Sequence, residues 1–282
     1  MAAFNDVTAR LQSSHEQLRA EVARLTRELG EANSQLERSR RLAALGEMAA
    51  GIAHEVRNPL GSIRLYARML EQDLTDRPGE QTVAAKISGA ARAMEGVVTD
   101  VLTFAKEFRL RPSEIDVGEL FDRVLEACCH DGVAGWRGVE IVRGVCDAPS
   151  FEADPSLLQQ AMVNIVRNAF EAMADVRGRK HSLSLSCGAE DGWVALRVRD
   201  SGPGVSPDVI ARMFNPFFTT RAAGTGLGLA IVHRIIDAHA GRIRVTNNKD
   251  GPGATFALLL PPESETESPT LVAASSETET SR

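Results

Sequence analysis

From Val56 to Phe108 the apolar residues fall at alternating spacings of four and three, with one interruption at Thr75–Gly79. The first run is Val56, Leu60, Ile63, Ala67, Leu70 and Leu74. The second is Val83, Ile87, Ala90, Met94, Val97, Val101, Phe104 and Phe108. This spacing puts one apolar stripe on each of two helices. The Pro and Gly of the interruption are expected to stop the first helix. Two helices joined by so short a turn make an antiparallel hairpin. Their stripes are hidden once two hairpins assemble into a dimeric four-helix bundle. Upstream, Leu11, Leu18, Leu25 and Ala32 recur every seven residues, as do Val22, Leu29, Leu36 and Ala43. That heptad seam predicts a coiled coil over residues 1–42. A stripe so narrow is not stable alone, so a parallel homodimer is expected.

One histidine, His54, stands beside the first stripe, on a shoulder facing water, with Asn58 one turn further along the same face. Pro59 removes an N–H and crowds the carbonyl of Glu55, which predicts a kink there. By itself an exposed histidine is a solvated side chain. The run His-Glu-Val-Arg-Asn-Pro-Leu at His54–Leu60 says more. It resembles the phosphoacceptor box of two-component sensor histidine kinases, and the flanking LAALGEMAAGIAHE resembles their nitrogen- and flagellar-regulation branch. The resemblance implies that residues 43–110 are a dimerisation and phosphotransfer domain with His54 as phosphoacceptor. It also implies that Glu55 fixes the imidazole tautomer and that Asn58 positions a water for dephosphorylating a partner. The chemistry is consistent, because a neutral imidazole is available near pH 7 and can attack a γ-phosphate in line.

Beyond the Arg109–Ser113 hinge the texture changes to mixed helix and strand. Helices are expected at Val117–Cys129, from Asp154-Pro155 to Met173, and at Leu227–Ala240 ended by Gly241. Strands are expected at Val139–Val142, Leu183–Ser186, Trp193–Arg199, Ile243–Thr246 and Thr255–Leu260. Segregated helices and strands of this number predict an α/β sandwich over residues 111–262. The fold class is thus a coiled coil, a helical hairpin and an α/β sandwich.

Three segments of that sandwich carry chemistry. Asn164 and Asn168 share a helix face, and amide oxygens suit Mg²⁺. Asp200-Ser-Gly202-Pro-Gly204 follows a strand, where a carboxylate can accept from an exocyclic amine and glycines let backbone pass close to a base. Gly224-Thr-Gly226-Leu227-Gly228 opens a helix and can offer N–H groups to phosphate. Singly these are a polar helix face, an Asp-Ser-Gly turn and a glycine triplet. In this order, with MFNPFFTT between the last two, they resemble the ATP-binding domain of histidine kinases within the gyrase–Hsp90–kinase–MutL superfamily. The resemblance implies ATP as substrate, Asn168 as Mg²⁺ ligand, Asn164 beside the phosphates, and Asp200 on adenine, helped by Thr255. It implies a mobile lid over roughly Pro203–Thr225, anchored by Phe214, Phe217 and Phe218, with Arg221 near the phosphates. Gyrase-like ATPases carry a general-base Glu where Asn164 stands, so hydrolysis as the main activity is disfavoured.

Composition closes off other classes. The net charge is −6, of which −4 lies in Glu263–Arg282, five Glu against one Arg, so nucleic-acid binding has no support. That Ser-, Thr- and Glu-rich stretch is expected to be disordered. Cys128, Cys129, Cys146 and Cys187 lack zinc spacing and read as buried free thiols. No apolar run spans a membrane and no signal peptide is recognisable, which predicts a cytoplasmic location. The resemblance implies phosphoryl transfer to an aspartate of a separate response regulator, by analogy an activator of alternative-sigma-factor promoters. The N-terminal coil is the expected seat of any upstream protein.

Overall fold

The computed structural model describes residues 55–130, 138–147, 150–176, 178–221 and 224–262, with Arg19, Glu21, Arg24 and Ala53 as isolated positions. The heptad seam, His54 and the acidic tail lie outside them, although Arg19, Glu21 and Arg24 are helical and exposed. The chain divides between Glu107 and Phe108 into two compact units.

The first unit is the expected hairpin. Helix α1 occupies residues 55–73 and passes through Pro59 without ending. Helix α2 is Pro78–Ala105. Pro78 opens α2 instead of closing α1, and Gly79 lies inside α2. Proline at the first helical position loses no bond, because that N–H has no intrahelical partner anyway. Arg64 pairs with Glu95 at 2.6 Å, and Gln81 Nε2 donates to the Glu71 carbonyl at 2.9 Å, so the helices run antiparallel.

The single stripe expected on each helix resolves into two rows. Buried positions are mostly small: Ala53, Leu60 and Ala67, then Ala84, Ser88 and Ala91. The larger residues Ile63, Leu70, Val83, Ile87, Met94 and Val97 are exposed in the single chain. Small side chains let two helices approach closely, and the bulky row beside them is left for another surface.

The second unit starts with Phe108. Its main sheet has the order β2-β4-β5-β7-β6. The strands are β2 (Val139–Asp147), β4 (His181–Glu190), β5 (Trp193–Asp200), β6 (Arg242–Asn247) and β7 (Ala254–Leu260). β2 and β4 are parallel, and the other pairs are antiparallel. A small sheet pairs β1 (Ser113–Glu114) with β3 (Glu152–Ala153), so the end of the expected hinge is already strand. Helices α3 (Val117–His130), α4 (Pro155–Ala174) and α6 (Gly228–Ala238) form the second layer, α3 and α6 both packing on α4. A single turn, α5, is Pro207–Ile210.

Alternation along the strands makes the core. Leu183, Leu185 and Cys187 of β4 are buried at every second position, and Val194, Leu196 and Val198 of β5 are buried with Phe256, Leu258 and Leu260 of β7. Helix positions Leu158, Ile165, Phe170, Ile231 and Ile235 meet them at zero or near-zero exposure. The opposite face is thin: Ala195, Ala257 and Leu259 pack with Trp193, beneath the Arg242 guanidinium at 4.9 Å from its ring centre. Cys128 and Cys187 are buried as expected, but Cys146 is exposed, because it lies on β2, an edge strand. Among the described residues no helix is long and apolar enough to cross a membrane.

Candidate nucleotide site

Asp200 ends β5 and is buried. Its Oδ1 accepts from the Gly202 N–H at 2.7 Å and the Ala254 N–H at 3.3 Å. Burial pushes its carboxyl above the ordinary value, against the pull of those two amides and of Arg179. A desolvated carboxylate of this kind is a strong acceptor for a ligand N–H.

The loop after it is wired to the far end of the sheet. Asn247 Oδ1 accepts from the Val205 N–H and its Nδ2 donates to the Val205 carbonyl, both at 2.8 Å. Asn248 Nδ2 donates to the Asp200 carbonyl at 2.8 Å, and the Thr255 hydroxyl donates to Asn248 Oδ1 at 2.7 Å. Thr255 therefore reaches Asp200 through Asn248. Gly204 and Gly253 have φ of +83° and +104°. A Cβ on Gly253 would lie 2.0 Å from the Asp200 carbonyl oxygen, so only glycine fits. Val205, near the start of the expected lid, is thus tied by its backbone to Asn247.

The other wall is built by α4 and the start of α6. Asp154 caps α4, accepting from the Ser156 and Leu157 N–H groups. Ten residues on, Asn164 faces Gly228: a Cβ there would sit 3.9 Å from Asn164 Oδ1 and meet nothing closer. Gly224 and Gly226 have no such room. A Cβ on Gly226 would approach the Phe217 backbone to 2.5 Å, and one on Gly224 the Thr219 hydroxyl to 2.5 Å. Leu227 stands at the N-cap of α6 and its side chain accepts nothing from the first turn, while its own N–H donates to the Thr225 hydroxyl at 3.2 Å. These features fit a phosphate chain.

The segment that follows departs from expectation at Phe217. Phe214 stacks obliquely on His233 of α6, with ring centres 5.7 Å apart, and Phe218 lies under the Arg212 guanidinium. Phe217, however, is 65% exposed and is held by its backbone alone, donating to the Gly226 carbonyl at 3.0 Å with φ +65°. It does not anchor the segment through its ring. Arg221 pairs with Glu171 and reaches the Asn168 carbonyl at 3.4 Å, so its charge is shared with α4.

Asn247, Asn248 and Glu171 escaped the sequence reading. The first two sit in a turn-forming stretch, Asn-Asn-Lys-Asp-Gly-Pro-Gly, which only the sheet order brings beside Asp200. Glu171 was findable, three residues after Asn168 on one helix face. In the hairpin unit Glu55 and Asn58 are helical and exposed, and His54 lies outside the described residues.

Comparison with known proteins agrees with this geometry. Residues 153–264 match the family of histidine kinase-, DNA gyrase B- and HSP90-like ATPases, and residues 44–107 match the His kinase A phospho-acceptor domain. The sensor histidine kinase ZraS of Escherichia coli K12 is 34% identical over 228 residues, 80% of this chain and 48% of ZraS. AtoS of the same strain, a signal transduction histidine-protein kinase, is 34% identical over 259 residues, 92% of this chain and 38% of AtoS. The chain therefore spans about half the length, or less, of these relatives. Among solved structures, full-length ShkA in complex with AMPPNP is 32% identical with a TM-score of 0.61, covering 76% of this chain and 45% of ShkA. The histidine kinase ThkA in complex with the response regulator TrrA is 28% identical with a TM-score of 0.55, covering 79% of this chain and 63% of that one. The chain belongs to the two-component sensor histidine kinases.

Proposed function

We propose that this chain is an ATP-dependent protein-histidine kinase that autophosphorylates at His54, within a chain or between the two chains of a dimer, and passes the phosphoryl group to an aspartate of a response regulator. Two features of the α/β unit carry this reading. A buried carboxylate, Asp200, is held by two backbone amides on one side, and an uncapped glycine-rich helix start faces Asn164 on the other.

Asp200 receives the adenine amine, while Gly202 and Gly204 keep the backbone close to the base. The α6 N–H groups after Gly224, Gly226 and Leu227 take the phosphates. Asn168 would hold Mg²⁺, which neutralises charge as the γ-phosphate transfers, with Asn164 beside the phosphates. Arg221, bridged to Glu171, lies next to Asn168 on this wall. Asn164 offers an amide and no base for activating water, which favours transfer over hydrolysis. In the hairpin, Glu55 orients the His54 imidazole and Asn58 holds a water for the reverse reaction on the regulator. The exposed bulky row of α1 and α2 is the homodimer surface.

Incubation with γ-labelled ATP and Mg²⁺ tests the reading. Wild type should acquire acid-labile, base-stable label that is lost in His54→Gln while AMPPNP binding persists. Acid-stable label, or label retained by the variant, would refute it.

A further inference from the structure

α6 carries the glycine-rich nucleotide residues at its start and α4 carries Asn164 and Asn168 in its middle turns, while the two helices are joined where α4 begins and α6 ends. Asn164 lies about 15 Å along α4 from its cap, Asp154. Gly228 opens α6 and His239 closes it. At the end remote from the nucleotide residues, the Asp154 N–H donates to His239 Nε2 at 3.0 Å. His239 is buried, and its Nδ1 lies 2.8 Å from the Ile235 carbonyl. An amide N–H only donates and a carbonyl only accepts, so this geometry requires Nε2 bare and Nδ1 protonated.

Both partners are fixed from behind. The Asp154 carboxylate caps α4 through Oδ1 and accepts the Arg111 N–H through Oδ2 at 3.0 Å. The backbone at His239 is closed by Ala240 N–H to Asp237 O and Gly241 N–H to Ile236 O, both at 2.9 Å. Ala240, at φ +52°, takes the left-handed position usually given to glycine. Gly241 is needed for a different reason: a Cβ there would lie 2.6 Å from the Leu259 carbonyl oxygen.

We propose that His239 and Asp154 are positioning residues whose bond sets the axial register of α6 against α4. It keeps the glycine-rich start of α6 opposite Asn164 and Asn168. The proposal rests on the nucleotide site described above. A slip of one residue moves a helix by about 1.5 Å, and misplacements of about 1 Å are enough to disable a site.

The test is calorimetric titration of the full chain with AMPPNP and Mg²⁺, well below each variant's melting midpoint. His239→Asn keeps a donor for Ile235 but cannot reach Asp154. His239→Gln places an amide oxygen near the position of Nε2. Both are expected to lower the melting midpoint. Binding should weaken by about tenfold in the Asn variant, the worth of one buried hydrogen bond, and return to near wild type in the Gln variant. Unchanged binding by a folded His239→Asn, or equal losses in both, would overturn the register role. If wild type itself bound no AMPPNP, the nucleotide site would be wrong, and the imidazole nitrogen NMR signals would still decide the bond. An Nδ1–H tautomer at His239 supports it and an Nε2–H tautomer rejects it.

Discussion

The hairpin and the α/β unit solve burial differently. In the α/β unit Leu183, Leu185, Leu196, Ile231 and Ile235 are all at 0% exposure, and the core is finished within one chain. In the hairpin the buried positions are mainly alanines, while Ile63, Val83, Met94 and other large residues stay between 42% and 64% exposed. Two helices have too little mutual surface to cover both of their rows. The hairpin alone leaves its bulky row open, whereas the α/β unit closes its core within one chain.

The contrast can be broken most forcefully in the hairpin. Replacing Ile87 and Met94 together with Asp removes two apolar side chains from the shared surface and puts charge there. The dimer loses four such side chains, each worth about 1.5–3 kcal/mol when fully buried and already about half covered in the single chain, so dimerisation should weaken by about a thousandfold. Nucleotide binding should be unchanged. Sedimentation velocity beside calorimetry checks both halves, and a dimer that survives would remove this row from the interface.

A pair of matched truncations sharpens the comparison. Leu185→Ala opens a cavity in a closed core and should cost about 2–5 kcal/mol. Val83→Ala on the open face should cost the monomeric hairpin under about 1 kcal/mol. Urea denaturation, run at concentrations where the chain is monomeric, reads the two values; equal losses would erase the distinction.

The smallest effect on stability concerns Asp200. Because burial raises its carboxyl above the ordinary value, the folded state holds that proton more tightly than the unfolded chain does. Its contribution therefore favours folding at low pH and is lost as pH rises through the folded value. Asp200→Asn, which keeps an acceptor for Gly202 and Ala254, should be at least as stable as wild type at pH 7. That advantage should shrink as the pH falls toward the titration of Asp200. Its nucleotide affinity should nevertheless fall by about a hundredfold, since a hydrogen bond to a charged group is worth about 1.5–3 kcal/mol. Denaturation midpoints from pH 7 to 4.5, with AMPPNP titrations at pH 7, test both parts. A large stability loss at pH 7 would make Asp200 a structural residue.

Much of this was legible in the sequence. Periodicity of four and three located both hairpin helices, the Asp154-Pro155 pair located the start of α4, and ordered motifs pointed to the family. These features are local: spacing along one helix, a cap, a turn and a glycine run are set by neighbours in the chain. The misses share the opposite property. Which apolar row is buried in the hairpin, that Phe217 is exposed, and that Asn247 and Asn248 reach Val205 and Asp200 all depend on residues distant in sequence. His239 meets Asp154 across 85 positions. The sequence by itself determined the elements and the chemistry they bring. Only the tertiary structure decided which elements meet, because sheet order and helix register are settled by packing between segments that no local spacing connects.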